Sequence, residues 1–543
     1  MGRSAILLAA LLAAAAPGRP VPPDARPADL AAGERLDGLH WADLGDVSAD
    51  LRRFYERHGG APAWTAGERP TPQARAVARV LDAAESRGLD AEDYQGGRWE
   101  SALATLGAGL GSPGEAARFD VALTASAMRY AAAVHRGRVS PSALGHDLGA
   151  RHQPLDLAAL AEGLGASPDP ARDLAALEPA APAYRRLLKA LARHRALADR
   201  LRDAPPLPVP ARPAAPGELC PELPRLLERL AALGDLPADR AAAAAGPRYG
   251  PEAAAAVRRF QRRHGLLDDG VLDRRTVEAL AVPPEARARQ IALALERWRW
   301  VPDEIGPPAV VVVVPTFSLA AADPLDPLGE PVLSMDAIVG GGGEETRTPM
   351  LVARLEQVIF SPYWDVPRRI AVEELAPRLE RNPRWAAQQG YFVETPEGRR
   401  PADAAALELV RSGAARLRQK PGAASSLGTV KFVIPNPQDV YLHGTSSPGL
   451  FRRSERALSH GCVRVADPAG LAGLLLRGQG WDRRRVEEAM ARDEPLAVDL
   501  ETRPWVLLVY ATAHADEAGV VHLVPDLYGH DARLERALAH VHR

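Results

Sequence analysis

The 543-residue chain holds only two cysteines, Cys220 and Cys462. That excludes a disulfide-stapled scaffold, and oxidising surroundings can make at most one bridge from them. Neither sign of charge is in excess. With 67 basic and 69 acidic residues the net charge is −2, without the basic surplus of a nucleic-acid surface. No run of like charge is long enough for a polyanion-binding tail. A membrane-crossing run is also missing, since the apolar stretch Ala5–Ala16 is 12 residues long and nothing later exceeds it in length and apolarity. Neither H-E-x-x-H nor C-x-x-C zinc spacing occurs. What remains is an ordinary globular composition, 46% hydrophobic and 25% charged, at a length that suggests about three or four domains.

The chain divides by pattern. Arg3, the Ala5–Ala16 run and the small residues Ala14-Ala15-Ala16 before Pro17-Gly18 follow the grammar of an export signal over 1–16. Residues 17–35, rich in Pro and Ala, read as a linker. From 36 to 203 the apolar spacing is helical. In Arg118–Arg138, for example, Val121, Thr124, Ala125, Met128, Ala132 and His135 share a face, and Gly137 stops the helix. Residues 204–217 carry six prolines and form a second linker. A small helical module follows over 218–283. It has a helix at Glu252–His264 with a stop at Gly265, a turn at Asp268-Asp269-Gly270 and a second helix at Arg274–Leu280.

From 287 to 515 short β-branched runs take over: Ala309–Val314, Pro331–Val339, Val430–Ile434, Asp439–His443 and Val506–Ala513. A polar, helical insertion at about 370–427 is expected to form a lid over them, and 516–543 to hold a strand, Val520–Leu523, and a tail. The fold class is therefore a multidomain α+β protein. It has a helical scaffold, a small three-helix module and a mostly β domain, sandwich- or barrel-like, with an inserted helical lid.

The chemistry concentrates in Val440–Val465. His443 ends an apolar strand, and fifteen residues separate it from Ser459-His460-Gly461-Cys462-Val463-Arg464. A thiol that attacks an amide must become a thiolate, which calls for a nearby imidazole or cation. It also needs backbone N–H groups aimed at the oxyanion, and Gly461 permits the tight loop that brings substrate close. Two other readings of Cys462 compete here: a disulfide with Cys220, and zinc ligation with His443 and His460. Tyr441 lies on the same strand face as His443, as core or cleft wall. Trp364 and Tyr363 are candidates to line the cleft under the lid. The C-terminal histidines His514, His522, His530, His540 and His542 read as surface residues.

A histidine followed after fifteen residues by S-H-G-C-x-R resembles the signature of the YkuD-type L,D-transpeptidase family. The stretches FYERHGGAPAW (Phe54–Trp64), LERWRWVP (Leu295–Pro302), SPYWDVPRRIA (Ser361–Ala371) and RQKPGAASSLGTVKFVIPN (Arg418–Asn436) look like its long Gram-negative branch. There a scaffold domain and a peptidoglycan-binding module accompany the catalytic domain, and the 218–283 module resembles that module. Two positions depart from the branch: Gly444 and Asp365 stand where Asp and Asn are expected.

The resemblance implies Cys462 as nucleophile and His443 as general base and acid. Ser459, His460, Gly461 and Gly444 would surround the nucleophile and its oxyanion hole. Arg464, Tyr441, Trp364 and Tyr363 are expected toward the substrate. It implies cross-linking of peptidoglycan by transfer from the diaminopimelate–D-Ala bond of one stem to an amine of another. Neither cofactor nor metal is implied. Expected partners are peptidoglycan stem peptides and glycan and other wall-synthesis enzymes, in the periplasm of a Gram-negative bacterium. No nucleic acid is expected as a partner.

Overall fold

The computed structural model describes residues 22, 24–67, 69–148, 152–237, 239–240, 248–302, 305, 309–326 and 330–541. The expected export signal and His542 lie outside the described residues.

The helical half is built around the helix Pro113–Arg136. Ser112 and Glu115 close a capping box at its start, worth about 1 kcal/mol. Asp120 and Thr124 on this helix are fully buried and need partners. The Tyr55 hydroxyl donates to Asp120 at 2.8 Å and meets the Thr124 hydroxyl at 2.9 Å. Trp64 donates its backbone N–H to Asp120 and its indole N–H to Thr124, at 2.7 and 2.8 Å. The Phe54–Trp64 motif is thus a structural key, followed by the small hairpin of β1 (Thr65–Ala66) and β2 (Arg69–Pro70).

The module's helices Leu223–Leu233, Pro251–Arg263 and Arg274–Ala281 enclose their own core of Leu226, Leu230, Val257, Phe260 and Val277. Cys220 is a buried free thiol in that core, and Cys462 is also free, so no disulfide joins them. Gln261 ties the turn to the helices. Its Nε2 donates to Val271 O at 2.9 Å and to Thr276 Oγ1 at 3.1 Å, and its Oε1 accepts from Gly270 N at 2.8 Å.

Helix Pro182–Leu201 lies against helix Pro284–Trp298. Tyr184, Leu187, Leu191, Ile291, Leu295 and Trp298 share one core with the β domain. The segment Glu296–Trp300 is the joint between the halves. Fully buried Glu296 accepts from the backbone N–H groups of Arg138 and Val139. It also pairs with Arg299 at 3.4 Å and with Arg138 at 3.6 Å. Arg299 in turn donates to the Tyr184 hydroxyl at 3.0 Å and to Arg87 O. Gly137 is required here. Its φ is +81°, and a Cβ would sit 2.9 Å from Glu296 Oε1 and 3.0 Å from the Trp300 ring.

The β domain begins with β3 (Val310–Val313), β4 (Ser318–Ala321), β5 (Leu333–Gly340), β6 (Leu351–Arg354) and β7 (Gln357–Phe360). It continues with β8 (Trp364–Asp365) and, after the insertion, β12 (Val430–Val433), β13 (Leu442–His443), β14 (Ala457–Ser459) and β15 (Val463–Val465). The strands β16 (Leu496–Asp499) and β17 (Trp505–Val509) complete it. One eleven-stranded sheet runs in the order β16-β7-β12-β13-β15-β5-β4-β3-β17-β6, with β14 added beside β5. The apolar runs of β3 and β17, paired in parallel toward one end of this order, are buried on nearly every residue, while β4 and β12 alternate between buried and partly exposed.

The insertion is less purely helical than its polarity suggests. Besides the helices Ala376–Arg381, Pro383–Gln388 and Ala404–Ser412 it holds β9 (Tyr391–Thr395), β10 (Gly398–Pro401) and β11 (Arg416–Gln419). With β8 these form a four-stranded sheet. The Pro396-Glu397 turn before Gly398 joins β9 to β10 and was the missed signal. Its separate core of Leu379, Val393, Leu407, Val410 and Leu417 makes the insertion a body of its own. The C-terminal segment, read as a strand and tail, forms the hairpin β18 (Ala513–Ala515) and β19 (Val521–Leu523) and then the helix His530–His540. His530 is buried against Tyr510 and His146 rather than on the surface, because this helix packs against helix Pro284–Trp298.

Candidate active site

Register places the chemistry. In the parallel pair β13/β15, Leu442 stands opposite Val463 and His443 opposite Arg464. Continuing that register by one residue sets Tyr441 opposite Cys462. In the antiparallel pair β12/β13, Lys431 stands opposite His443. Since side chains alternate with period 2 and in-register neighbours share a face, Lys431, His443 and Arg464 form one row. Tyr441 and Cys462 form the row beside it. Four of the residues singled out from sequence, two from β13 and its approach and two from β15 and its approach, thus meet on one face of these strands.

The loop carrying Cys462 is closed by its own residues. Ser459 Oγ donates to Cys462 O at 2.5 Å and accepts from Gly461 N at 3.2 Å. Gly461 has φ +116°, a conformation open to glycine, with Arg347 O 3.4 Å from where a Cβ would be. A second clamp was not legible from sequence. Thr348 Oγ1 donates to Gly461 O at 2.8 Å and accepts from Gly340 N at 2.8 Å. The Tyr528 hydroxyl donates to Gly340 O at 2.6 Å. The Gly461 N–H is thus engaged by Ser459 within the loop.

The resting thiol is protonated and donates to Asp439 O at 3.8 Å. Asp439 holds a left-handed backbone, φ +55°, which aims this carbonyl and concentrates strain at the site. Burial pushes the Cys462 thiol up from its ordinary value. The Tyr441 backbone and hydroxyl and the Lys431 ammonium oppose that shift, while Asp439 adds to it. His443 is 5% exposed, and burial, with Arg464 and Lys431 as like charges, holds its imidazole down at about 3. The Gly444 and Leu427 backbones favour its charged form only weakly, and Nδ1 makes no well-formed hydrogen bond among the described residues. A neutral imidazole is the form that can accept a proton.

This has a measurable consequence. His443 titrates near 3 when folded and at its ordinary 6.5 when unfolded, so the unfolded chain binds the proton first as pH falls. His530, held at about 3, and His146, His194 and His514, at about 4, act in the same direction. Asp93, raised to about 7 by burial, acts in the opposite one. Stability is expected to be intact above pH 6.5 and to fall steeply from there toward pH 4, read as Tm by calorimetry. A flat Tm across that window would contradict buried neutral histidines.

Gly444 is packed closely: a Cβ there would lie 3.3 Å from Leu427 O and 3.5 Å from both Gly428 and Pro468. Trp364 and the Tyr441 hydroxyl interact, which joins the lid's first strand to the neighbour of Cys462. Tyr363 is set apart, under Arg418 at 4.8 Å and Arg399 at 5.2 Å. Asp365 pairs with Arg418 at 2.6 Å.

His460 pairs with Glu374 of the lid's π-helical turn Ile370–Leu375 at 2.9 Å, and Arg369 with Glu345 at 3.7 Å. Both pairs are solvent-exposed, so they are worth about 0–1 kcal/mol of stability; the first ties the lid to the Cys462 loop and the second to the turn Glu344–Thr346. Glu374→Ala is expected to speed alkylation of Cys462 by iodoacetamide several-fold with Tm unchanged. An unchanged rate would mean that this contact does not restrain the lid.

A cavity of about 760 Å³ lies where scaffold, module and sheet meet, lined by Arg186, Leu266, Trp298, Phe317 and Arg452. Neither Cys462 nor His443 borders it, so its size does not locate the chemistry.

Three family models match the chain. Residues 49–191 match one described as a scaffold domain, 221–280 a "Putative peptidoglycan binding domain", and 309–487 an L,D-transpeptidase catalytic domain. A Haemophilus influenzae protein named "Putative L,D-transpeptidase" is 30% identical over 280 residues, covering 50% of this chain and 55% of that protein. The chain therefore spans about half the length of this curated relative. Among solved structures, the L,D-transpeptidase (residues 123–326) from Xylanimonas cellulosilytica is 18% identical. It covers 56% of this chain and all of that one, at a TM-score of 0.17.

Proposed function

We propose that this chain, whose residues 309–487 match an L,D-transpeptidase catalytic domain, is a wall-associated cysteine acyltransferase that makes 3→3 cross-links in peptidoglycan. The observation that carries the reading is the register that sets Cys462, Tyr441, His443 and Arg464 on one face of β13 and β15.

In the first half-reaction Cys462 Sγ attacks the carbonyl between diaminopimelate and the terminal D-alanine of a tetrapeptide stem. Neutral His443 takes the thiol proton, and the oxyanion faces the His460 and Cys462 amides. Collapse breaks the C–N bond, and His443 returns the proton to the departing D-alanine amine. In the second, an amine of a neighbouring stem loses its proton to His443 and attacks the thioester, restoring the thiol and forming the new amide. Arg464, beside His443, suits a substrate carboxylate. The lid closes the site from water, which disfavours hydrolysis of the thioester. The helical module supports attachment to the wall, and an exported, periplasmic location follows from that substrate.

The test is incubation of the purified protein with disaccharide-tetrapeptide, followed by mass analysis. The expected products are free D-alanine and a dimer of one tripeptide and one tetrapeptide stem. Tripeptide without dimer would make water the acceptor, and no D-alanine release would overturn the reading.

A further inference from the structure

Lys431 was not singled out by sequence, and its position in the sheet gives it a role. It stands on β12 directly opposite His443, on the face that carries Tyr441 and Cys462. Its ammonium lies 4.0 Å from the centre of the Tyr441 ring. The side chain is half-buried, and among the described residues no carboxylate stands within 4.0 Å of it. A cation withdrawn from water without a counter-ion is costly, and a ring face offsets only about 0.5–2 kcal/mol of that. The remaining cost points to a negative charge that exists only during the reaction.

We propose that Lys431 is the fixed counter-charge of the Cys462 thiolate, acting across the Tyr441 ring. This rests on the reading of Cys462 as nucleophile and adds the group that makes its ionisation possible in a buried site. When the thiol proton passes to His443, a thiolate and an imidazolium replace two neutral groups, and no atom leaves the site. The ammonium attracts the thiolate. Resting on the Tyr441 ring, it also draws electron density from the phenol and makes its hydroxyl a stronger donor toward sulfur.

The other charged and titratable groups around the thiol do not take this role. Asp439 opposes ionisation, and Asp365 on β8 bears on Lys431 itself but is held by Arg418. His460 is turned to Glu374. Arg464 stands on the far side of His443 from Lys431, and it disfavours the imidazolium more than Lys431 does. The electrostatics agree with the geometry: Lys431 favours the charged form of Cys462, and Cys462 favours that of Lys431.

The experiment is the pH dependence of Cys462 alkylation by iodoacetamide in the full chain, read by mass spectrometry, for wild type, K431M, K431Q and K431R. K431M and K431Q are expected to move the midpoint up by about one pH unit, a tenfold loss of thiolate at neutral pH. K431R is expected to retain the wild-type midpoint, since it keeps the charge. An unmoved midpoint in a folded K431M or K431Q protein, or a shift of equal size in K431R, overturns the proposal. Acylation of the wild type by a carbapenem is measured in parallel. If it fails, the nucleophile reading falls. If it succeeds while the midpoints stay together, the role of Lys431 alone falls.

Discussion

Cys462→Ala is expected to abolish both the carbapenem adduct and D-alanine release, and His443→Ala to slow acylation by about 10²–10⁴-fold. The two losses differ in kind. Without sulfur there is no acyl-enzyme, so a single stoichiometric mass shift in the wild type vanishes in the variant. Without the imidazole the thiol keeps its proton, and burial already holds that proton more firmly than usual. Residual acylation by His443→Ala should therefore recover as pH rises and the thiol ionises unaided. The wild type should stay active well below pH 6.5, because His443 remains neutral down to about 3. Its acid limb reports the loss of stability set out above before it reports the base. An adduct that persists in Cys462→Ala would place the nucleophile elsewhere. A His443→Ala variant as fast as wild type at neutral pH would remove the base from the mechanism.

The second large effect lies far from the thiol. Glu296→Ala is expected to destabilise the protein by about 3–5 kcal/mol, the cost of leaving buried charges unpaired. The change strands Arg299, which is fully buried, leaves Arg138 with Asp93 at 3.6 Å as its remaining carboxylate, and removes the acceptor for two backbone N–H groups. At about 2–4 °C per kcal/mol for domains of this size, Tm falls on the order of 10 °C. Glu296→Gln keeps an acceptor for Arg138 N and Val139 N and should lose less. Calorimetry decides: a fall of under about 2 °C in Glu296→Ala would mean the joint is held by the shared apolar core alone. Because the joint fastens the helical half to the sheet, the lost Tm should belong to both halves together rather than to one separate transition.

These two predictions draw on features of unequal legibility. Local patterning was enough for Pro113–Arg136, Pro251–Arg263 and Arg274–Ala281, whose apolar spacing and glycine or capping signals are carried within a few residues. It was enough also for β3, β5, β12 and β19, where β-branched residues cluster. The strands of the lid were missed because they are short and lie in a polar stretch, with the apolar β9 pairing across a turn with the exposed, arginine-rich β10. A sheet of that kind is recognised by its partners and not by its composition. His530 was misjudged for the same reason: burial of a C-terminal histidine depends on what packs over it.

By itself the sequence determined which residues have the chemistry for the proposed site. A thiol, two imidazoles, a glycine before the thiol and an arginine after it lie within one stretch, and their identities do not depend on folding. Tertiary structure alone decided which of them meet and in what state. The register of β12, β13 and β15 set Lys431 and Arg464 on either side of His443 and put Tyr441 beside Cys462. Burial then fixed the imidazole as neutral and the thiol as protonated. Glu296, one charged residue among several in Leu295–Pro302, became the joint only where Gly137 left room for it. The physical reason is common to all three cases. A side chain's identity is local, but its partners, its desolvation and therefore its charge belong to segments brought together from far apart in the chain.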